Sequence, residues 1–237
     1  MNTEQDAYVP GMEHEGITVF MMGTVMVEYN RKPMPLMGNP QGKMLQLFLI
    51  LLYAGDKGVL REELLDMLYG NGENTNPSGS LRAAVFRLRK TLEGCGLPEH
   101  EYIRTDSGIY RWDGGGVPVY IDAKDFEITA HKALKQRDES LLKKACGLYQ
   151  GEFMAQLAGE KWVSIIGVRY QELYFDCLRM AYYIMKDNRE YTDLLELASD
   201  ACDLYPYEEC QIMKIDCLIA MKRFKDAMQV YGRDPVL

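Results

Sequence analysis

"SLRAAVFRLRKTL", residues 80–92, holds three arginines, one lysine and no acid, in a chain of formal net charge -8. On a helix of about 100° per residue, Leu81, Val85, Leu88 and Leu92 form one apolar stripe, with Ala84 beside it. Arg82, Ala83, Phe86, Arg87 and Lys90 fall on the opposite face. Arg89 lies at the border, where its stem is partly buried. A charge run on a helix is commonly a solvated face, but here the surroundings argue for more. Asn76 suits a helix cap and Pro77 the first helical position. Helical patterns over 41–54 and 61–69 come before it. After it, "YIRTDSGIYRW" (102–112) reads as two short strands around an Asp-Ser-Gly turn, carrying Arg104 and Arg111. Helix, helix, basic helix and hairpin is a DNA-binding arrangement, because one helix fits a major groove about 12 Å wide. Arginine can pair with guanine through two hydrogen bonds, while lysine and the hairpin arginines can meet phosphate.

The bulk sequence sets the frame. Its 237 residues suit two domains of ordinary size, and 47% hydrophobic with 26% charged residues is globular composition. The apolar run "LQLFLILLYA" from Leu45 is about half the ~20 residues that span a bilayer, so it reads as a buried helix. Residues 2–15 are polar and acidic, without the basic and apolar regions of a signal peptide. The six cysteines lack a CxxC pair or histidines at zinc spacing, and read as reduced core thiols of a cytoplasmic protein. The stretch 17–29, rich in β-branched residues and interrupted by Gly23, predicts two strands of a small N-terminal sheet. Gly114–Gly116 followed by Pro118 marks a change of composition. The expected organisation is a flexible leader over 1–15, an α+β domain over 16–116 and an all-α domain over 117–237.

In the last of these, strand signals vanish and helical spacing dominates, as in Trp162, Ile166, Tyr170, Leu173, Cys177, Ala181 and Ile184. The breaks predict about six helices in antiparallel pairs. Tyr191 and Phe224 follow "KDNRE" and "AMKR" in similar positions, a separation close to the ~34-residue tetratricopeptide (TPR) period. A TPR-like helical domain is expected.

Catalytic signals are weak, and no enzyme, cofactor or metal is expected. "GNPQGKM" (38–44) is close to a P-loop, but is one residue short and has Met44 where Ser or Thr must reach magnesium. A strand-to-helix turn explains it. His14, His100 and His131 are isolated, with no GxSxG or HExxH near them. Asp122 reads as a helix cap rather than an acid catalyst. The tyrosines between Trp162 and Met185 read as core and repeat packing.

"LRAAVFRLRKTLEGCG", "YIRTDSGIYRW" and "VYIDAKDFE" together resemble the OmpR-type winged-helix domain of bacterial regulators. "LYQGEF" (148–153), Trp162 with Arg169, "LYPYEE" (204–209) and "MKRFKDAMQVY" (221–231) are similar to the bacterial transcriptional activator domain of the SARP family. The resemblance covers roughly residues 16–231. It implies a winged helix followed by a TPR-like domain, and a regulator that binds double-stranded promoter DNA as a pair and recruits RNA polymerase, with no membrane partner. In that family the "RLR" helix lies in the major groove, which makes Arg87, Arg89 and Lys90 contact candidates. Arg82 and Phe86 beside them, and Arg104 and Arg111 on the wing, complete the candidate set. With only about fifteen residues before the first strand, no receiver domain is expected. Asp106 stands at the wing tip and Ile109 where the family often has glycine. Residues 1–122 carry 11 basic and 16 acidic side chains, a net of -5, which opposes nonspecific attraction to DNA. The alternative is a protein-interaction scaffold whose winged helix no longer binds DNA.

Overall fold

The structure, a computed structural model, describes residues 15–39, 41–70, 72 and 74–232. His14 and all but the last residue of the expected leader lie outside the described residues. One compact unit comprises the chain up to Asp125 together with Phe153–Gly167, and the other Phe126–Glu152 together with the chain from Val168.

The first unit opens with β1 (Ile17–Phe20), β2 (Met26–Tyr29) and β3 (Lys32–Pro33), followed by helix α1 (Lys43–Ala54). β1 and β2 are the two strands that the β-branched stretch predicts. α1 is buried on nearly every side, from Leu45 through Leu52, which is why its sequence shows no amphipathic period. The short strand β4 (Val59–Leu60) leads into α2 (Arg61–Tyr69) and α3 (Pro77–Glu93). Asn76 caps α3 by accepting from the Gly79 amide at 3.0 Å. A hairpin follows, β5 (Ile103–Asp106) and β6 (Ile109–Trp112), with β4 pairing on β6 as a third strand. The tight turn sits on Ser107 and Gly108, both at positive φ, as two-residue hairpins require. Trp112 fixes the hairpin base, edge-on to Phe48 of α1 at 5.4 Å and stacked on Tyr102 at 5.1 Å.

Strand β7 (Val119–Ile121) lies just after the glycine-rich break and runs parallel to β1, closing a sheet of order β3-β2-β1-β7. The next residue, Asp122, begins α4 (Asp122–Gln136). Its carboxylate reaches beyond that helix. It accepts from the amides of Met21 at 2.7 Å, Met22 at 3.0 Å and Ala123 at 2.6 Å. One buried side chain thus satisfies donors at the end of β1 and at a helix start. Burial pushes its pKa up to about 6, against the pull of the three amide donors. The segment from Phe153 is tied to the same β1–β2 turn: Met154 donates to Met21 O, Ala155 to Gly23 O, and Gln156 accepts from the Val25 amide.

The second unit is helical, as the spacing predicts. It contains α4 from Phe126, α5 (Glu139–Leu148), α6 (Lys161–Asn188) from Val168, α7 (Tyr191–Leu204), α8 (Glu208–Ala220) and α9 (Phe224–Tyr231). Three of these helices stop in the same way. Arg137, Arg189 and Lys222 take left-handed φ of 52°, 62° and 61°. The following amides, of Asp138, Glu190 and Arg223, bond back to the carbonyls of Ala133, Met185 and Leu218. This is a Schellman stop with a basic residue where glycine is usual. The same turn recurs before α5, α7 and α9, and the last two, at Arg189 and Lys222, stand at the TPR-like separation. The unit's core is aromatic: Tyr149, Tyr170 and Tyr174 are fully buried, and Tyr149 stacks on Tyr174 at 4.5 Å. The Tyr149 and Tyr205 hydroxyls meet at 2.7 Å, so neither is left unsatisfied.

Two outcomes follow. For Asp122 the folded pKa lies above the unfolded one, so the folded chain holds more protons between 3.8 and about 6. Its contribution to stability therefore falls as pH rises through that window and is level above it. Asp122→Asn should remove this component of the pH slope in urea unfolding, and should cost about 1–3 kcal/mol at neutral pH because an amide offers one acceptor oxygen where the carboxylate offers two. At the second-unit turns, Arg189→Gly should raise stability by roughly 0.5–1 kcal/mol, the relief of left-handed strain less glycine's entropy cost. Thermal melting reads this.

Candidate nucleic-acid interface

Helix α3 buries Leu81, Ala84, Val85, Leu88 and Leu92, in contact with α1 and α2. Arg82, Ala83, Phe86, Arg87 and Lys90 are exposed and Arg89 is half-buried, the division that the spacing predicts. On the hairpin, Arg104 and Arg111 are directly opposed across β5 and β6, so both project from one face. Ile103, Tyr110 and Trp112 point to the other face and are buried.

The candidate cations differ in what already holds them. Arg89 donates to the Ile103 carbonyl at 2.6 Å and pairs with Glu101 at 3.1 Å, joining α3 to the first strand of the wing. Lys90 pairs with Glu93 one turn on at 2.8 Å. Arg104 pairs with Asp113 at 2.8 Å, and the same carboxylate lies 2.9 Å from His100 and accepts from the Gly115 amide. That amide and the two side chains hold Asp113 below the usual carboxylate range. Arg82, Arg87 and Arg111 have no acidic partner among the described residues; Arg87 bonds only its own helix, at the Ala83 carbonyl. At the wing tip, Asp106 is exposed and accepts from the Ser107 hydroxyl.

Sequence reasoning did not single out three residues that place these groups. Arg61, at the start of α2, donates its amide to Gly108 O at the wing turn and its guanidinium to Ser78 at the start of α3. Asp113 positions Arg104. Gly58 lies under β6 at φ +66°, where a Cβ would sit 2.4 Å from Arg111 Cγ and 2.7 Å from the Tyr110 carbonyl. A Gly just before a two-residue strand was the one visible signal for such a close approach.

Lys43 spends its ammonium on Glu160 at 2.7 Å and on Gln46. Buried Gln46 also donates to Glu160, at 2.8 Å. His131 is exposed on α4. Among the described residues no group of three or more His, Cys, Asp or Glu could hold a metal, and no helix is long and apolar enough to cross a membrane. Burial pushes the thiols of Cys177 and Cys210 up to about 12 and that of Cys217 to about 11, so they stay protonated at neutral pH. A hollow of about 690 Å³ beside the end of α3 is lined by Leu92, Leu97 and Tyr102 together with the paired Arg89 and Glu101.

Gly58→Ala should displace the wing, because the new methyl meets backbone on one side and the Arg111 stem on the other. The expected cost is at least about 1 kcal/mol from the left-handed backbone alone, read by thermal melting.

The comparisons agree with this architecture. Residues 121–234 match the family model of the bacterial transcriptional activator domain. No curated protein matches the chain. Among solved structures, Mycobacterium tuberculosis EmbR in complex with a low-affinity phosphopeptide is similar over 92% of this chain, with a TM-score of 0.66 and 17% identity. The match covers 58% of the EmbR chain. Residues 121–234 are thus similar to the bacterial transcriptional activator domain, and the α+β unit followed by a helical unit shares its fold with the EmbR structure.

Proposed function

We propose that the chain is a cytoplasmic, sequence-specific DNA-binding transcriptional regulator, an activator that recruits RNA polymerase. The carrying observation is the outward face of α3. The core takes one side of the helix, and the other offers Arg82, Arg87 and Lys90 around Ala83 and Phe86. Arg104 and Arg111 stand together on the adjacent hairpin. A helix of this kind enters the major groove and a hairpin beside it meets the backbone. Arg87, unpaired and exposed, is the candidate for guanine. Arg104 and Arg111 are candidates for phosphate, and Arg89 contributes through its exposed edge while bracing the wing.

The ion pairs of Lys90 and Arg104 do not oppose this reading. Exposed pairs of this kind contribute at most about 1 kcal/mol and can be exchanged for phosphate. They do lower the charge available to one copy. With a net of -5 over residues 1–122, single-copy affinity is modest, and two copies on adjacent half-sites would compensate by raising effective concentration. The pairing of Lys90, Arg89 and Arg104 with Glu93, Glu101 and Asp113 favours a second reading, a winged helix that serves as a protein-interaction scaffold.

Selection from a random duplex pool decides between them. The full chain should enrich a repeated site and bind it far more tightly than its isolated half. Arg87→Ala should relax sequence preference by about 1–3 kcal/mol at one position, whereas Arg104→Ala and Arg111→Ala should weaken all sequences about equally. Enrichment of nothing would leave the scaffold reading standing.

A further inference from the structure

We infer that Phe86 is a specificity-determining residue that reads the 5-methyl group of thymine in the major groove, an inference that rests on the DNA-binding reading above. Phe86 is 64% exposed, and no ring or cation contact to it occurs among the described residues. On a helix of about 100° per residue, it lies roughly 40° from both Arg82 and Lys90, between them. The buried stripe centres near Leu81, Leu88 and Leu92. The direction opposite that stripe falls among Phe86, Lys90 and Ala83, with Arg82 and Arg87 on the flanks. When a helix lies in the major groove, the side opposite its core contacts faces the groove floor, where base edges are displayed, and the flanks face the walls, from which a side chain as long as arginine still reaches either a phosphate or a base edge. Two of the three floor-facing residues, Ala83 and Phe86, are apolar.

An apolar group on that floor has one apolar partner. The thymine methyl is the only such group among the base edges of the major groove, and alanine and phenylalanine both suit it. Burying Phe86 against phosphate or against the polar edge of guanine would desolvate those groups without replacing their hydrogen bonds. The cations beside it hold the helix at the depth where a ring reaches the methyl. The preferred site therefore contains thymine next to any guanine that Arg87 contacts.

The test uses the full chain and a duplex it selects from a random pool. Each thymine is replaced in turn by deoxyuridine, which removes the methyl and leaves every hydrogen-bonding group in place. The expected result is a loss of about fourfold at one or two thymines, the contribution of one buried methyl. Phe86→Ala should bind the parent site more weakly and be indifferent to deoxyuridine at those same positions. Phe86→Leu should keep part of the discrimination. Because Phe86 is exposed, neither variant should change the melting temperature. Selection of a site at which no deoxyuridine replacement changes affinity overturns the inference alone, and so does Phe86→Ala retaining the full penalty. Failure to select any site overturns the DNA-binding reading and this inference with it.

Discussion

Leu81, Val85, Leu88 and Leu92 can be buried by only one side of α3, and burying them decides what the other side shows. That single constraint orders the first unit. α1, apolar from Leu45 to Leu52 apart from Gln46, supplies a surface that can take the stripe. Phe48 on the same helix receives Trp112, so the hairpin is set against the core that also receives α3. Arg89, at the edge of the stripe, then reaches the Ile103 carbonyl and joins the two elements directly. The cations of α3 and the arginine pair of the wing occupy fixed places because apolar packing behind them leaves few alternatives.

The charge distribution carries a second lesson. A chain with net charge -8 cannot rely on long-range attraction to DNA. The acids nearest the candidate surface are mostly engaged: Glu93 with Lys90, Glu101 with Arg89, Asp113 with Arg104 and His100. Such pairs moderate the field, and on the proposed reading those of Lys90, Arg89 and Arg104 could exchange their acids for phosphate. On the proposed reading, binding would depend on local fit more than on bulk charge, and so on what the floor-facing residues of α3 can recognise.

Much of this was legible in the sequence because its signals are local and periodic. The Asn76-Pro77 start, the stripe from Leu81 to Leu92 and the Ser107-Gly108 turn each act within a few residues, and each stands where the spacing puts it. The second unit was readable for the same reason, including the break before Tyr191 and its counterpart before Phe224. Long-range pairings were not. β7 is three residues long and joins β1 in parallel across about a hundred residues, and no short-range pattern announces such a partner. Asp122 stands at the start of α4 as expected, but its reach to Met21 and Met22 depends on that pairing. Nor could spacing reveal that Asp113 would hold Arg104, or that residues 153–167 would join the first unit.

The central claim is that the outward face of α3 reads base edges in the major groove, and alkylation interference tests it most directly. Dimethyl sulfate methylates guanine at N7 in the major groove and adenine at N3 in the minor groove. On a selected duplex, the account predicts that guanine N7 methylation within the site blocks binding, and that Arg87→Ala loses this sensitivity at one guanine. Interference confined to adenine N3, or none within a site that the protein demonstrably binds, would contradict it.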